Sequence, residues 1–117
     1  MPSRSECIFC RIADRAVPST IVREDEHTVA FRDLDPKAPL HVLVIPRRHI
    51  ASVNDVSDDD ADVMAALFAS ARDVATTEGV AQSGYRLVVN TGPAANQTVQ
   101  HLHLHLLGGR DMSWPPG

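Results

Sequence analysis

The run His101-Leu102-His103-Leu104-His105-Leu106-Leu107 decides how this chain is read. Side chains of an extended strand alternate faces with a period of two. A strand over Val99 to Leu107 therefore puts the three histidines on one face and Leu102, Leu104 and Leu106 on the other. Neighbouring histidines fall about 6.6 Å apart along such a strand. The leucine face calls for an apolar cover. The histidine face is then either a solvated surface or the wall of a site. Three of the chain's six histidines on one face is an expensive pattern for plain packing. Two chemical readings remain beside the solvated one. Alternating histidines can hold a catalytic zinc, although no Asp or Glu stands on the strand to complete the ligand set. A neutral imidazole can also attack phosphorus and leave again, splitting one displacement into two.

Outward from this run, Gly108-Gly109 stops the strand, and Thr91 to Gln97 is a loop of small and polar residues. Gly84 to Asn90 reads as a strand with Tyr85, Leu87 and Val89 on one face. Before it comes one long helix that starts after Ser57. Ser57 and Asp60 form an S-x-x-D capping signature, and Asp58 and Asp59 suit the positive end of a helix dipole. Val63, Leu67, Ala71 and Val74 fall on one stripe, with Met64, Phe68 and Ala75 beside it, and Gly79 marks the end. This helix can cover the leucine face. His41 to Pro46 reads as a buried strand, Thr28 to Arg32 and Thr20 to Arg23 as short strands around the turn Glu24-Asp25-Glu26. Cys7 to Ala16 has a weak helical pattern in Ile8, Ile12 and Ala16, ended by Pro18. Short strands interrupted by one long helix predict an α+β fold with a largely antiparallel sheet of about five strands and two helices.

A chain of 117 residues, 44% hydrophobic, suits one domain over 1–117. Its net charge of -4 argues against nucleic-acid binding, which calls for a basic face. A mononucleotide needs only local donors. No stretch approaches the roughly 20 apolar residues of a membrane span, and Met1 to Arg11 has no signal-peptide core. The expected location is cytoplasmic, where Cys7 and Cys10 are metal ligands, redox groups or free thiols before they are a disulfide.

The histidine run matches the pattern His-x-His-x-His followed by two apolar residues. Cys7-Ile-Phe-Cys10, Ala30-Phe31-Arg32-Asp33, Ala38 to Pro46, Arg48-His49-Ile50, Tyr85 to Asn90 and Gly108 to Gly117 accompany it. Together these resemble the Hint branch of the histidine-triad (HIT) superfamily, nucleoside phosphoramidate hydrolases, over nearly the whole chain. The resemblance implies that His103 is the nucleophile toward the α-phosphorus and that an AMP-histidine intermediate is released by water. His105 would contact the phosphate, with His101 and His41 beside the site. Thr98 stands where the family commonly has Ser, and Asn96 where it often has Gly. Asn90, Asn96, Gln97 and Thr98 would surround the phosphate. Asp33 would bind the ribose, although an Asp beside Pro36 is otherwise a plain turn residue. Phe31 and Leu34 would line the adenine pocket.

The resemblance further implies a homodimer in which the tail with Trp114 reaches the other chain's site. It also implies structural zinc on Cys7, Cys10, His49 and His101, a Cys2His2 set. No organic cofactor is implied. The expected substrates are AMP amidates or acyl-adenylates. A dinucleoside polyphosphate hydrolase, a non-catalytic purine nucleotide-binding protein and a metal-dependent hydrolase are the rivals.

Overall fold

The computed structural model describes residues 3–117. Five strands form one antiparallel sheet: β1 (Ile21–Glu24), β2 (Thr28–Arg32), β3 (Leu40–Pro46), β4 (Tyr85–Val88) and β5 (Leu104–Gly108), in the order β1-β2-β3-β5-β4. The α-helices among the described residues are α1 (Ile8–Ala13) and α2 (Ala61–Thr77). β3 is central and every residue in it is buried, as its unbroken apolar run requires. The α+β expectation holds, with five strands and two helices.

The leucine face is covered as the alternation demands. Leu102, Leu104 and Leu106 pack with Val42 and Val44 against Leu67, Ala71, Val74 and Ala75 of α2. Ser57 donates its N–H to Asp60 Oδ2 at 2.9 Å. A 3-10 turn over Asp58–Asp60 then comes first, so α2 begins at Ala61. Gly79, at φ +80°, takes the left-handed conformation that lets the Val80 N–H return to the Ala75 carbonyl at 3.0 Å and close the helix.

The opposite face of the sheet is covered by α1. The sequence stripe Ile8, Ile12 and Ala16 is not what packs. Ile8 is exposed and Ala16 lies beyond the helix, which ends before Arg15 at φ +58°. Phe9, Ile12 and Ala13 face Val29, Phe31, Leu43 and Ile45. In a six-residue helix the large ring of Phe9 chooses the buried side, not a repeat too short to express itself.

The last strand is shorter than expected. It starts at Leu104, not Val99, so His101 and His103 precede it. Val44 pairs with Leu104, and continuing that register would set Pro46 opposite Leu102. Pro46 has no N–H to offer a ladder. Its carbonyl instead accepts from His101 Nε2 at 2.9 Å, and the Leu102 N–H turns to the Ile50 carbonyl at 2.6 Å. The alternation of faces survives this break. β4 is likewise trimmed to Val88, so Val89 and Asn90 lie beyond it. No helix among the described residues is long and apolar enough to cross a membrane.

Candidate active site

The histidine face opens on two cavities that share a wall. The first, about 270 Å³, is mostly apolar: Ile8, Phe9, Ile12, Phe31, Leu43 and Val99 line it, with Leu34 at its rim and His103 at its inner end. The second, about 460 Å³, is lined mostly by polar residues, Asp35, Lys37, His41, Asn90 and Asn96 among them. Asp33, Thr98 and His105 border both. An apolar slot meeting a polar chamber at imidazole groups suits an amphiphilic ligand with a flat ring and a charged end.

The backbone sets the tautomer of each histidine. His103 Nδ1 lies 2.7 Å from the His101 carbonyl oxygen, an acceptor only. Nδ1 therefore carries the proton, and Nε2 of neutral His103 keeps a free lone pair. His41 is set the opposite way. Its Nδ1 accepts the Lys37 N–H at 3.0 Å, so its proton sits on Nε2, 2.9 Å from His105 Nδ1. His105 Nδ1 thus accepts, and its proton is on Nε2. That Nε2 is buried and has no acceptor among the described residues. Two histidines with rings 5.0 Å apart therefore present opposite faces: one a bare lone pair, the other an unanswered N–H. Burial, with the charges of His103 and His41 adding to it, pushes His105 down to about 4. Burial also lowers His41, despite Asp33 Oδ2 at 3.5 Å. Burial thus works against a charge on His41, and the Asp33 carboxylate works for one.

Asp33 is a turn residue and also lies on the site. Its Oδ1 accepts from the Asp35 N–H at 2.8 Å in a local turn, and the same residue borders both cavities. Asn96 has φ +63° and ψ 40°, a left-handed conformation that Asn tolerates better than other residues with a side chain. Asn can therefore hold a position that otherwise suits Gly.

One expected ligand contact is corrected. Gln97 is buried, and its side chain is spent on the chain itself. Its Oε1 accepts from Gly92 N–H at 3.0 Å, while its Nε2 donates to the Ala51 and Val99 carbonyls at 2.8 and 3.0 Å. Both amide hydrogens are used, so Gln97 shapes the loop and offers no donor to a phosphate. Trp114 is 83% exposed and lines neither cavity of its own chain. His101 also differs from a third catalytic ring. Its carbonyl orients His103, but its side chain turns away into a separate cluster.

That cluster joins Cys7, Cys10, His49 and His101. His101 Nδ1 lies 3.3 Å from Cys7 Sγ, 3.5 Å from Cys10 Sγ and 3.2 Å from His49 Nδ1, and Cys10 Sγ lies 3.4 Å from His49 Nδ1. Tetrahedral zinc with ordinary Zn–S and Zn–N bonds sets its ligand atoms about 3.3–3.8 Å apart. The donor set and spacing fit zinc. Because His101 Nε2 donates to the Pro46 carbonyl, its Nδ1 lone pair points into the cluster, as a ligand must. Burial pushes His101 down to about 4 and the Cys10 thiol up to about 11. Asp33, His41 and His105 also gather closely, but the Lys37 N–H keeps a proton on the His41 nitrogen that would have to bind.

Sequence reading missed Ile8, Phe9, Ile12, Leu43 and Val99 as cavity wall. Their only signal is being apolar, which core residues share.

The fold and this site define an α+β histidine-triad protein. The HIT domain profile matches residues 14–112, and the chain belongs to the HIT family. An adenylylsulfatase named HINT1 from Arabidopsis thaliana is 43% identical over 99% of this chain and 80% of its own. A 14 kDa zinc-binding protein from Zea mays is 44% identical over 97% of this chain and 89% of its own. The crystal structure of a HIT family hydrolase from Legionella pneumophila superposes with a TM-score of 0.93 at 51% identity, covering 95% of this chain and 99% of the other.

Proposed function

We propose that this protein hydrolyses purine nucleoside phosphoramidates or acyl-adenylates through a covalent nucleotide on His103. The observation that carries the proposal is the opposed pair of tautomers. His103 Nε2 is bare because Nδ1–H is held by the His101 carbonyl, and His105 Nε2–H is buried without an acceptor. An unanswered buried donor costs about 1–3 kcal/mol, and a phosphate oxygen removes that cost. The base enters the apolar cavity, Asp33 accepts from the ribose, and Asn90 and Asn96 face the phosphate from the polar side.

His103 Nε2 attacks the α-phosphorus, and the bond from phosphorus to the leaving group breaks. An amine leaves with a proton that exposed Thr98 passes from solvent, whereas a carboxylate needs none. His105 Nε2–H steadies the phosphoryl oxygens as charge develops. Water then attacks the phosphorus, His103 is regenerated, AMP departs and the water proton returns to solvent. The adenylylsulfatase name of the Arabidopsis relative supports attack on an adenylyl group. His41 is a positioning residue in this scheme, passing the register set by the Lys37 N–H to His105.

Zinc on Cys7, Cys10, His49 and His101 would be structural and would take part in no step. It would tie the N-terminal segment to the histidine run. We also propose that two chains pair. Phe68 and Val89 are exposed around an apolar depression floored by Leu67, Leu102 and Leu104, and β4 is an edge strand. Exposed apolar patches beside a free sheet edge suit a second copy. Trp114 of each chain would then reach the other site.

The deciding test is AMP release from adenosine 5′-phosphoramidate by the native protein and by His103→Ala. Turnover by the native protein alone, with AMP still bound by the variant, supports covalent catalysis. Binding by both with turnover by neither would return the polyphosphate hydrolase and pure binding readings to the front.

A further inference from the structure

Helix α1 serves two sites at once. Cys7 caps it and Cys10 lies within it, so it contributes two of the four donors of the Cys/His cluster. The residues between and just after them, Ile8, Phe9 and Ile12, form one wall of the apolar cavity. The Phe9 ring meets His101 edge-on at 5.9 Å and His103 at 5.1 Å, bridging the cluster and the nucleophile. A six-residue helix has no stability of its own, since isolated helices shorter than about 12 residues are marginal in water. Its position is therefore set by its tertiary ties. These are the apolar contacts of Phe9, Ile12 and Ala13, Arg47 Nη1 donating to the Ala13 carbonyl at 3.3 Å, and the cluster.

We infer that metal occupancy of the Cys7, Cys10, His49 and His101 cluster sets nucleotide affinity, by holding α1 in place as the wall of the base cavity. This rests on the nucleotide reading of that cavity. The metal touches neither nucleotide nor phosphorus. It acts by sparing the nucleotide the work of ordering α1. Coupling between two binding sites is reciprocal. A nucleotide that clamps α1 from the cavity side must tighten the metal by the same factor that the metal tightens the nucleotide.

The test is AMP titration by calorimetry of the full chain, zinc-loaded and after removal of zinc by a chelator. Circular dichroism checks that the stripped chain is folded. We expect the stripped chain to bind AMP about 10-fold more weakly, within the usual range of coupling between sites. In the converse experiment a chromophoric chelator competes for zinc with and without saturating AMP. There the zinc affinity should rise by the same factor. If the stripped chain unfolds, hydrogen exchange of the α1 amides in the zinc-loaded chain decides instead: saturating AMP should slow it, and an exchange rate indifferent to AMP overturns the coupling. Equal AMP affinity in both forms, or a zinc affinity indifferent to AMP, overturns the coupling and leaves the nucleotide reading intact. Failure of the loaded protein to bind AMP overturns the nucleotide reading and the coupling with it.

Discussion

His101 and His105 stand four residues apart in one run of alternating histidines, and their surroundings are opposite. His101 is wholly buried between two sulfurs and His49, with Nε2–H held by the Pro46 carbonyl and the Nδ1 lone pair turned inward. His105 borders two cavities, with Nδ1 accepting from His41 and Nε2–H buried without an acceptor among the described residues. Burial pushes both down to about 4, so acidity does not separate them. The tautomer does, and in each case one backbone group chooses it. A carbonyl reaching His101 exposes a lone pair for a metal. An amide N–H, relayed through His41, leaves His105 with a free N–H, the one that meets phosphate in the proposed scheme. His103 between them follows the first rule, with Nδ1–H held by the His101 carbonyl and the Nε2 lone pair left free, the lone pair that attacks phosphorus in the proposed scheme.

The strongest way to break this comparison is at its centre. His103→Ala should lower AMP release by about 10⁵-fold while leaving the melting temperature within a few degrees, because activity without a nucleophile falls to what binding and charge stabilisation supply. Single-turnover kinetics and calorimetry check the two halves. At the His101 end, a chelator should act on stability. Loss of zinc held about 1,000-fold below its free concentration costs about 4 kcal/mol, or roughly 15 °C in a domain of this size, read by differential scanning calorimetry.

At the His105 end, His41→Phe removes the relay and should lower kcat about 100-fold. The ¹⁵N shifts of His105 should at the same time leave the Nε2–H pattern. His41→Gln keeps an N–H near the Nε2 position and should recover part of both. A wholly structural role for His41 would leave the ¹⁵N pattern unmoved.

The smallest expected effect concerns pH. The folded-state pKa of His105 is about 4, below the roughly 6.5 of an unfolded histidine. In that interval the unfolded chain binds the extra proton, so stability is fully present above about 6.5 and declines as the pH falls toward 4. The metal-loaded His105→Gln chain should lose melting temperature less steeply over that window than the native chain.

Much of this comparison was legible in the residues. Period-two alternation put leucines on one face and histidines on the other, and α2 covers the leucines as expected. The Cys7-x-x-Cys10 pair and the histidines, read with the family resemblance, named the four cluster residues that the fold brings together. Gln97 was less legible. An amide in a polar loop looks the same in a sequence whether it holds a ligand or three backbone groups. The strand boundary at Leu104 also escaped, because Pro46 of a distant strand ends the ladder there. The wall of Ile8, Phe9 and Ile12 escaped because hydrophobicity does not distinguish a cavity lining from a core.

By itself the sequence determined the α+β class, the two faces of the histidine run, the capped helix that covers one of them, and the family. These follow from local periodicity and from chemistry-bearing residues at fixed spacing, which the chain carries wherever it folds. Only the tertiary structure decided which nitrogen of each histidine holds the proton, and so which ring can attack, donate or bind a metal. Those choices belong to the Pro46 and His101 carbonyls and the Lys37 N–H. Each is a single backbone group whose direction exists only once the strands and turns have been assembled around it.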